Sequence, residues 1–314
     1  MSSDDEDSPR IATLVDALAD LLEEGSAIYL EHICVSPEHI PETAWTADRA
    51  EWLTYYGSDD VAGWVSEISG IYLAEAAHML RAFAVLLRNR RIFAAQDLIV
   101  RSVIERIGHV NWILDHRISS KNRAARAGLE IAACFYMYRE ALNLLDGERT
   151  ARTEIKRSAK SQQTQLKQWF QVVQPPEDPC DDASPPTGDV RRWIVDGEKF
   201  PSLTSAAEYA LERGGIKAQA GKGTYAGLSG FSHPNFVFSA EHNRIDSEGR
   251  ITFHYEWDDI EKAARITLLS FADGVKHWVG YFDTNPVDII SSLDSLADRL
   301  DALKGIPTIS DEES

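Results

Sequence analysis

The sequence predicts a mainly α fold, a multi-helix bundle with one β-hairpin insert. Three observations predict it. Apolar residues recur at helical spacing over most of the chain. Prolines and acidic loop residues interrupt that pattern at a few places only. Residues 235–256 alone alternate with the period of a strand. The 314 residues, 44% of them apolar, are enough for a sizeable core. One helical domain is expected over residues 10–305.

The elements follow in order. Ile11, Leu14, Val15, Leu18, Leu21, Leu22 and Ile28 make residues 10–34 an amphipathic helix. A connector bounded by Pro37 and Pro41 follows. A second, long helix is expected from Val61 to Arg90, and a third from Phe93 to His116. Ser119 and Ser120 offer a cap for a fourth, from Lys121 to Leu145. Its middle is apolar on nearly every side (Ile131, Cys134, Phe135, Tyr136, Met137, Tyr138, Leu142), the pattern of a helix at the centre of a bundle.

Residues 149–170 keep a helical composition but turn polar and basic. A Pro/Asp-rich loop occupies 174–190, and Leu203–Arg213 reads as a short helix. Phe236, Phe238, Ile251, Phe253 and Tyr255 alternate around Asp246-Ser247-Glu248-Gly249, which predicts a hairpin. Asp258 opens an apolar helix to Phe282. Pro286 suits the first turn of a last helix reaching Lys304. Residues 1–9 and 306–314 read as acidic, solvated tails.

The net charge is -18, which repels phosphate backbones and argues against nucleic-acid binding by bulk charge. Residues 149–167 are the local exception: Arg149, Arg152, Lys156, Arg157, Lys160 and Lys167, with Arg123 and Arg126 upstream. Such a run suits RNA or an acidic partner, or a plain solvated helix face, and no aromatic residue is interleaved. Cys34, Cys134 and Cys180 form no Cys-x-x-Cys, which argues against a thiolate zinc site and for a reducing compartment, the cytoplasm. The N-terminus is acidic, and no 18 residues are uninterruptedly apolar, so no membrane span is expected.

Three constellations bear chemistry. On a helical wheel Glu75 falls in the middle of the apolar face of the second helix (Trp64, Ile68, Ile71, Tyr72, Met79, Leu86), with His78 at its edge. A buried carboxylate needs a partner, either a metal or an Arg or Tyr of the neighbouring helix. Glu-x-x-His is half of a di-iron ligand set, but no second Glu-x-x-His occurs. On the third helix Arg101, Glu105, His109, Trp112 and His116 share one side, opposite Ile99, Val103, Ile107, Val110 and Leu114. Glu105 with His109, and Asp273 with His277, could together supply metal ligands from facing helices.

The third constellation is Tyr225 to Pro234. Gly221-Lys222-Gly223-Thr224 lacks the upstream glycine and strand of a phosphate loop. Ser229 and Ser232 stand near His233 without the frame of a nucleophile elbow. The alternative is a helix end whose small residues allow close packing.

Arg101-Ser102-Val103-Ile104-Glu105, then Trp112-Ile113-Leu114-Asp115 with Arg123 and Arg126, resembles the central helices of bacterial helical families labelled domain of unknown function 5677. So does Tyr225-x-x-Leu228-Ser229-x-Phe231-Ser232-His233-Pro234. These families look HEPN-like. The resemblance spans about residues 60–280. It implies a helical bundle in which Arg101, Glu105, Tyr225, Ser229 and His233 form an internal polar cluster, with a link to stress or defence systems. HEPN ribonucleases use an Arg-x(4–6)-His element. Here Arg106 stands too close to His109, and Arg250 stands one residue too close to His254.

The first expectation is therefore a HEPN-like bundle acting through a partner or ligand, as a homodimer or with another protein, and needing no cofactor. The second is a metal-dependent oxygenase or hydrolase using a divalent metal on Glu75, His78, Glu105, His109 and His277. The third is a ribonuclease dependent on His233.

Overall fold

The computed structural model describes residues 9–32, 43–90, 95–144, 149–174, 189–213, 223, 225, 243–245, 248, 251–253, 257–282 and 286–303. Nine α-helices lie among them: α1 (Pro9–His32), α2 (Ala44–Tyr56), α3 (Asp60–Arg88), α4 (Ala95–Ile113), α5 (Ser120–Leu144), α6 (Arg149–Trp169), α7 (Leu203–Arg213), α8 (Trp257–Phe282) and α9 (Pro286–Ala302). A three-stranded antiparallel sheet joins β1 (Val172–Val173), β2 (Ile194–Val195) and β3 (Glu198–Lys199), and β4 (Asn243–Ile245) pairs with β5 (Ile251–Phe253). The mainly α class and the hairpin insert are those the periodicity predicts.

Two compact units divide the chain. The first holds residues 1–40, 71–111 and 203–314. Here α1 packs on α8 and α9, and α7 packs on α8. Leu14, Val15, Leu18, Leu21 and Leu22 of α1 are buried, with Leu268, Phe271, Val275 and Val279 of α8 and Leu293, Leu296 and Leu300 of α9. Tyr29 meets Phe271 and Trp278 edge-on, at centroid distances of 6.3 and 6.2 Å. Gly108 of α4 lies so close to α7 that a Cβ would stand 1.9 Å from the Ala206 carbonyl oxygen.

The second unit holds residues 41–70 and 112–202. In it α5 packs on α6, α2 and the small sheet. The loop between β2 and β3 is Asp196-Gly197, with φ of 47° and 84°, a two-residue turn of the kind that matches strand twist. This sheet was not expected, although Asp-Gly after Ile194-Val195 carries the hairpin signal.

Helix α2 also falls where only a connector was expected. Its buried face is just Trp45, Asp48 and Trp52, so its apolar periodicity is faint. Its ends are well marked. The Thr43 side chain accepts from Thr46 N at 3.1 Å, and Thr46 Oγ1 accepts from Thr43 N at 2.8 Å, a reciprocal cap. Gly57 closes the helix at φ 67°.

Two expectations about faces are corrected. The second half of α3 buries Leu73, Ala76, Ala77, Leu80, Phe83, Ala84 and Leu87, while Ile71 is 55% and Val85 52% exposed. Alanines carry little weight on a hydrophobic wheel, yet Ala76, Ala77 and Ala84 are buried in this face beside the larger residues. In α5 the continuously buried stretch is 123–130, and Met137 and Tyr138 are exposed. Burial follows the neighbours of α5 rather than its most apolar run. By length and composition α3 could cross a membrane, a test that buried core helices also pass.

Candidate functional site

Glu75 is exposed, not on the packed face of α3, and accepts a hydrogen bond from Arg106 Nε of α4 at 2.6 Å. His78 is exposed as well. An Arg of the neighbouring helix thus satisfies Glu75. His109 is buried and meets the Tyr72 ring edge-on at 6.0 Å. His277 Nδ1 lies 3.0 Å from Oδ1 of the buried Asn111, whose Nδ2 lies 3.4 Å from Asp273 Oδ2. Among the described residues no three His, Cys, Asp or Glu side chains gather as a metal site requires, and Glu75, His78, Glu105, His109 and His277 do not form one group.

Arg101, Glu105 and Tyr225 do come together. Arg101 Nε donates to Glu105 Oε1 at 2.7 Å, and the Tyr225 hydroxyl donates to the same oxygen at 2.6 Å. The Arg101 guanidinium also lies over the Tyr225 ring, 5.5 Å from its centroid. Burial, and then the bond to Glu105, push the Tyr225 hydroxyl up to about 12. Burial alone would lower Arg101, but its bond to Glu105 holds it above its ordinary value. The result is a closed clamp fastening Tyr225 to α4. Ser229, Ser232 and His233, and His254, lie outside the described residues.

Arg123 and Arg126 belong to a second closed network and not to a basic surface. Arg123 donates from two nitrogens to Asp48, at 2.6 and 2.8 Å, and from its third to the Asp115 and Ile118 carbonyls. Arg126 donates to Glu198 at 2.6 Å and to the Trp112 carbonyl at 2.7 Å. These charges are almost wholly buried and mutually paired, as burial demands.

A third arrangement is open. In the second unit, one face of α6 forms a groove of about 810 Å3 with Tyr56 and Asp60. Its walls are Arg157, Lys160, Ser161, Thr164, Gln165, Gln168 and Trp169, which recur at steps of three and four along α6. The Trp169 ring lies 5.4 Å from both Tyr56 and Trp64, and Tyr56 lies 5.2 Å from Phe170. Asp60 accepts from Gln165 Nε2 at 2.9 Å. Arg157 and Lys160 are exposed and have no carboxylate partner among the described residues. Helix α6 carries six Lys or Arg and one acidic residue, Glu154.

The basic run was legible in the sequence, but the aromatic wall beside it was not. Trp169 stands at the end of α6, and Tyr56 comes from α2, more than a hundred residues away. A Trp-Phe pair closing a basic amphipathic helix was the available signal. No protein-family model, no curated protein and no solved structure matches the chain.

Proposed function

We propose that this protein is a binding protein, a HEPN-like helical bundle that acts by holding an anionic ligand or partner on α6. The observation that carries the reading is the groove, where Arg157 and Lys160 stand without carboxylate partners among the described residues, beside Trp169. A groove of this size suits a small ligand or a short segment of a larger one. Its charge is local, set against a chain of -18, so attraction is confined to this helix. The Arg101–Glu105–Tyr225 cluster serves as framework, because each member already holds the others. A cytoplasmic setting belongs to the same reading, supported by the cysteine usage.

Inorganic triphosphate, titrated calorimetrically into the full-length protein at low salt, tests it. Binding is expected to weaken steeply with added salt. It should weaken about tenfold or more in the Arg157→Ala, Lys160→Ala double variant. Both side chains are exposed, so the variant keeps its fold. No heat of binding by the wild-type protein, or equal binding by the variant, overturns the reading.

A further inference from the structure

We infer that the anion site of α6 extends beyond the groove as a cationic row that docks an acidic helix of a partner protein. The inference rests on the binding reading above and names the class of partner.

The first ground is the alignment of charge along α6. Lys156, Lys160 and Lys167 stand four and seven residues apart. At about 100° per residue, all three fall within an arc of about 40° on the helix surface. The helical rise spaces them by about 6 and about 10.5 Å. Arg157 lies about 60° to one side of Lys160. All four are exposed and have no carboxylate partner among the described residues. Lys156 and Lys167 stand outside the groove wall, so the row is longer than the groove. A compact anion reaches Arg157 and Lys160, whereas Lys167 lies about two turns further on.

The second ground is what surrounds the row. Ala159 and Leu166 turn to the core and leave the row facing outward. Thr153 and Thr164 stand exposed beside it, and their short side chains let a second backbone approach. The nearby carboxylates lie off the row. Glu154 is about 120° round the helix from Lys160, and Gln165, which holds Asp60, is about 140° round. The Lys167 ammonium lies 5.0 Å from the centroid of the buried Trp193 ring, which steadies that end of the row.

The third ground is the spacing itself. A helix laid along α6 has the same rise, so carboxylates at the same four- and seven-residue steps meet all three lysines from one face. An extended segment, rising about 3.3 Å per residue, would need steps of about two and three residues. The odd step turns one carboxylate to the opposite face. A nucleic-acid strand is less suited. Tyr56 and Trp64 already cover the Trp169 ring at 5.4 Å, which leaves bases little to stack on. A phosphate backbone also carries charge beyond the ends of the row, where a chain of -18 repels it.

Four probes test this on the full-length protein at low salt. They are inorganic triphosphate, an alanine-rich helical peptide with three glutamates at the four- and seven-residue steps, a helical control peptide of the same composition with its glutamates spread round the helix, and a short single-stranded oligoadenylate. The matched peptide is expected to bind about fivefold more tightly than the control. Lys167→Gln should weaken the matched peptide about threefold to fivefold and leave triphosphate binding unchanged. Lys167→Arg keeps the charge and should restore the peptide. That rescue separates lost pairing from any disturbance around Trp193.

Equal binding of the two peptides, or no response of the matched peptide to Lys167→Gln, overturns this inference while triphosphate binding leaves the broader reading standing. Oligoadenylate binding more tightly than the matched peptide also overturns it, and points to a nucleic-acid strand instead. Failure of every probe, triphosphate included, overturns both.

Discussion

Tyr225 shows how one side chain reports on its surroundings. Its hydroxyl is buried, donates to Glu105, and is shared with Arg101 through that carboxylate. Its folded-state pKa, about 12, stands above the ordinary value of 10.0. The folded chain therefore holds this proton more tightly than the unfolded one. The stabilisation is complete below pH 10 and is lost as pH rises from 10 toward 12. Tyr225→Phe is expected to cost about 1.5–3 kcal/mol near neutrality, the usual worth of a hydrogen bond to a charged group. The difference in urea midpoint between wild type and variant should shrink across that pH window. A difference constant with pH would mean that the hydroxyl does not titrate with unfolding.

Among the elements, close approach decides more than hydrophobicity. Helix α4 meets α7 at Gly108, where a Cβ would overlap the Ala206 carbonyl oxygen. Backbone cannot swing aside as a long side chain can. Gly108→Ala is expected to cost about 3 kcal/mol or more, above the range of ordinary overpacking. The control is Gly63 in α3, where a Cβ meets nothing within 4 Å. Gly63→Ala should stabilise by about 0.5–1 kcal/mol through helix propensity alone. Chemical denaturation of both variants checks the pair, and equal effects would contradict the packing described. The boundaries of α1, α3, α5, α7, α8 and α9 were legible from apolar period, caps and prolines. Helix α2 was not, because three buried residues in thirteen make too faint a stripe.

At the scale of the whole molecule, charge is sorted by burial. The chain carries -18, yet Arg123 and Arg126 are nearly fully enclosed in the second unit by Asp48, Asp115 and Glu198. Arg123→Met leaves Asp48 buried without its partner and is expected to cost about 3–5 kcal/mol. Adding Asp48→Leu should recover much of that loss, since an apolar pair replaces a charged one at little net cost. Thermal and urea melting of the single and double variants measure the coupling. A double variant no better than the single would show that the pair acts through other contacts. Arg157 and Lys160 of α6, by contrast, stay exposed to solvent.

Composition and period by themselves determined the helical class, the hairpin insert, most helix boundaries and the basic character of α6. These depend on residues within a few turns of each other. Tertiary structure alone decided which faces are covered and which charges are paired. Glu75 looked buried on its own helix, but α4 supplies Arg106, and Leu73, Leu80, Phe83 and Leu87 together with three alanines make the packed face. Arg123 and Arg126 looked like surface cations, but Asp48 and Glu198 lie 75 and 72 residues away in the chain. Trp169 gained its aromatic neighbours from α2 and α3 in the same way. Spacing along one helix fixes direction from the axis, whereas burial and pairing depend on what another segment brings to that side.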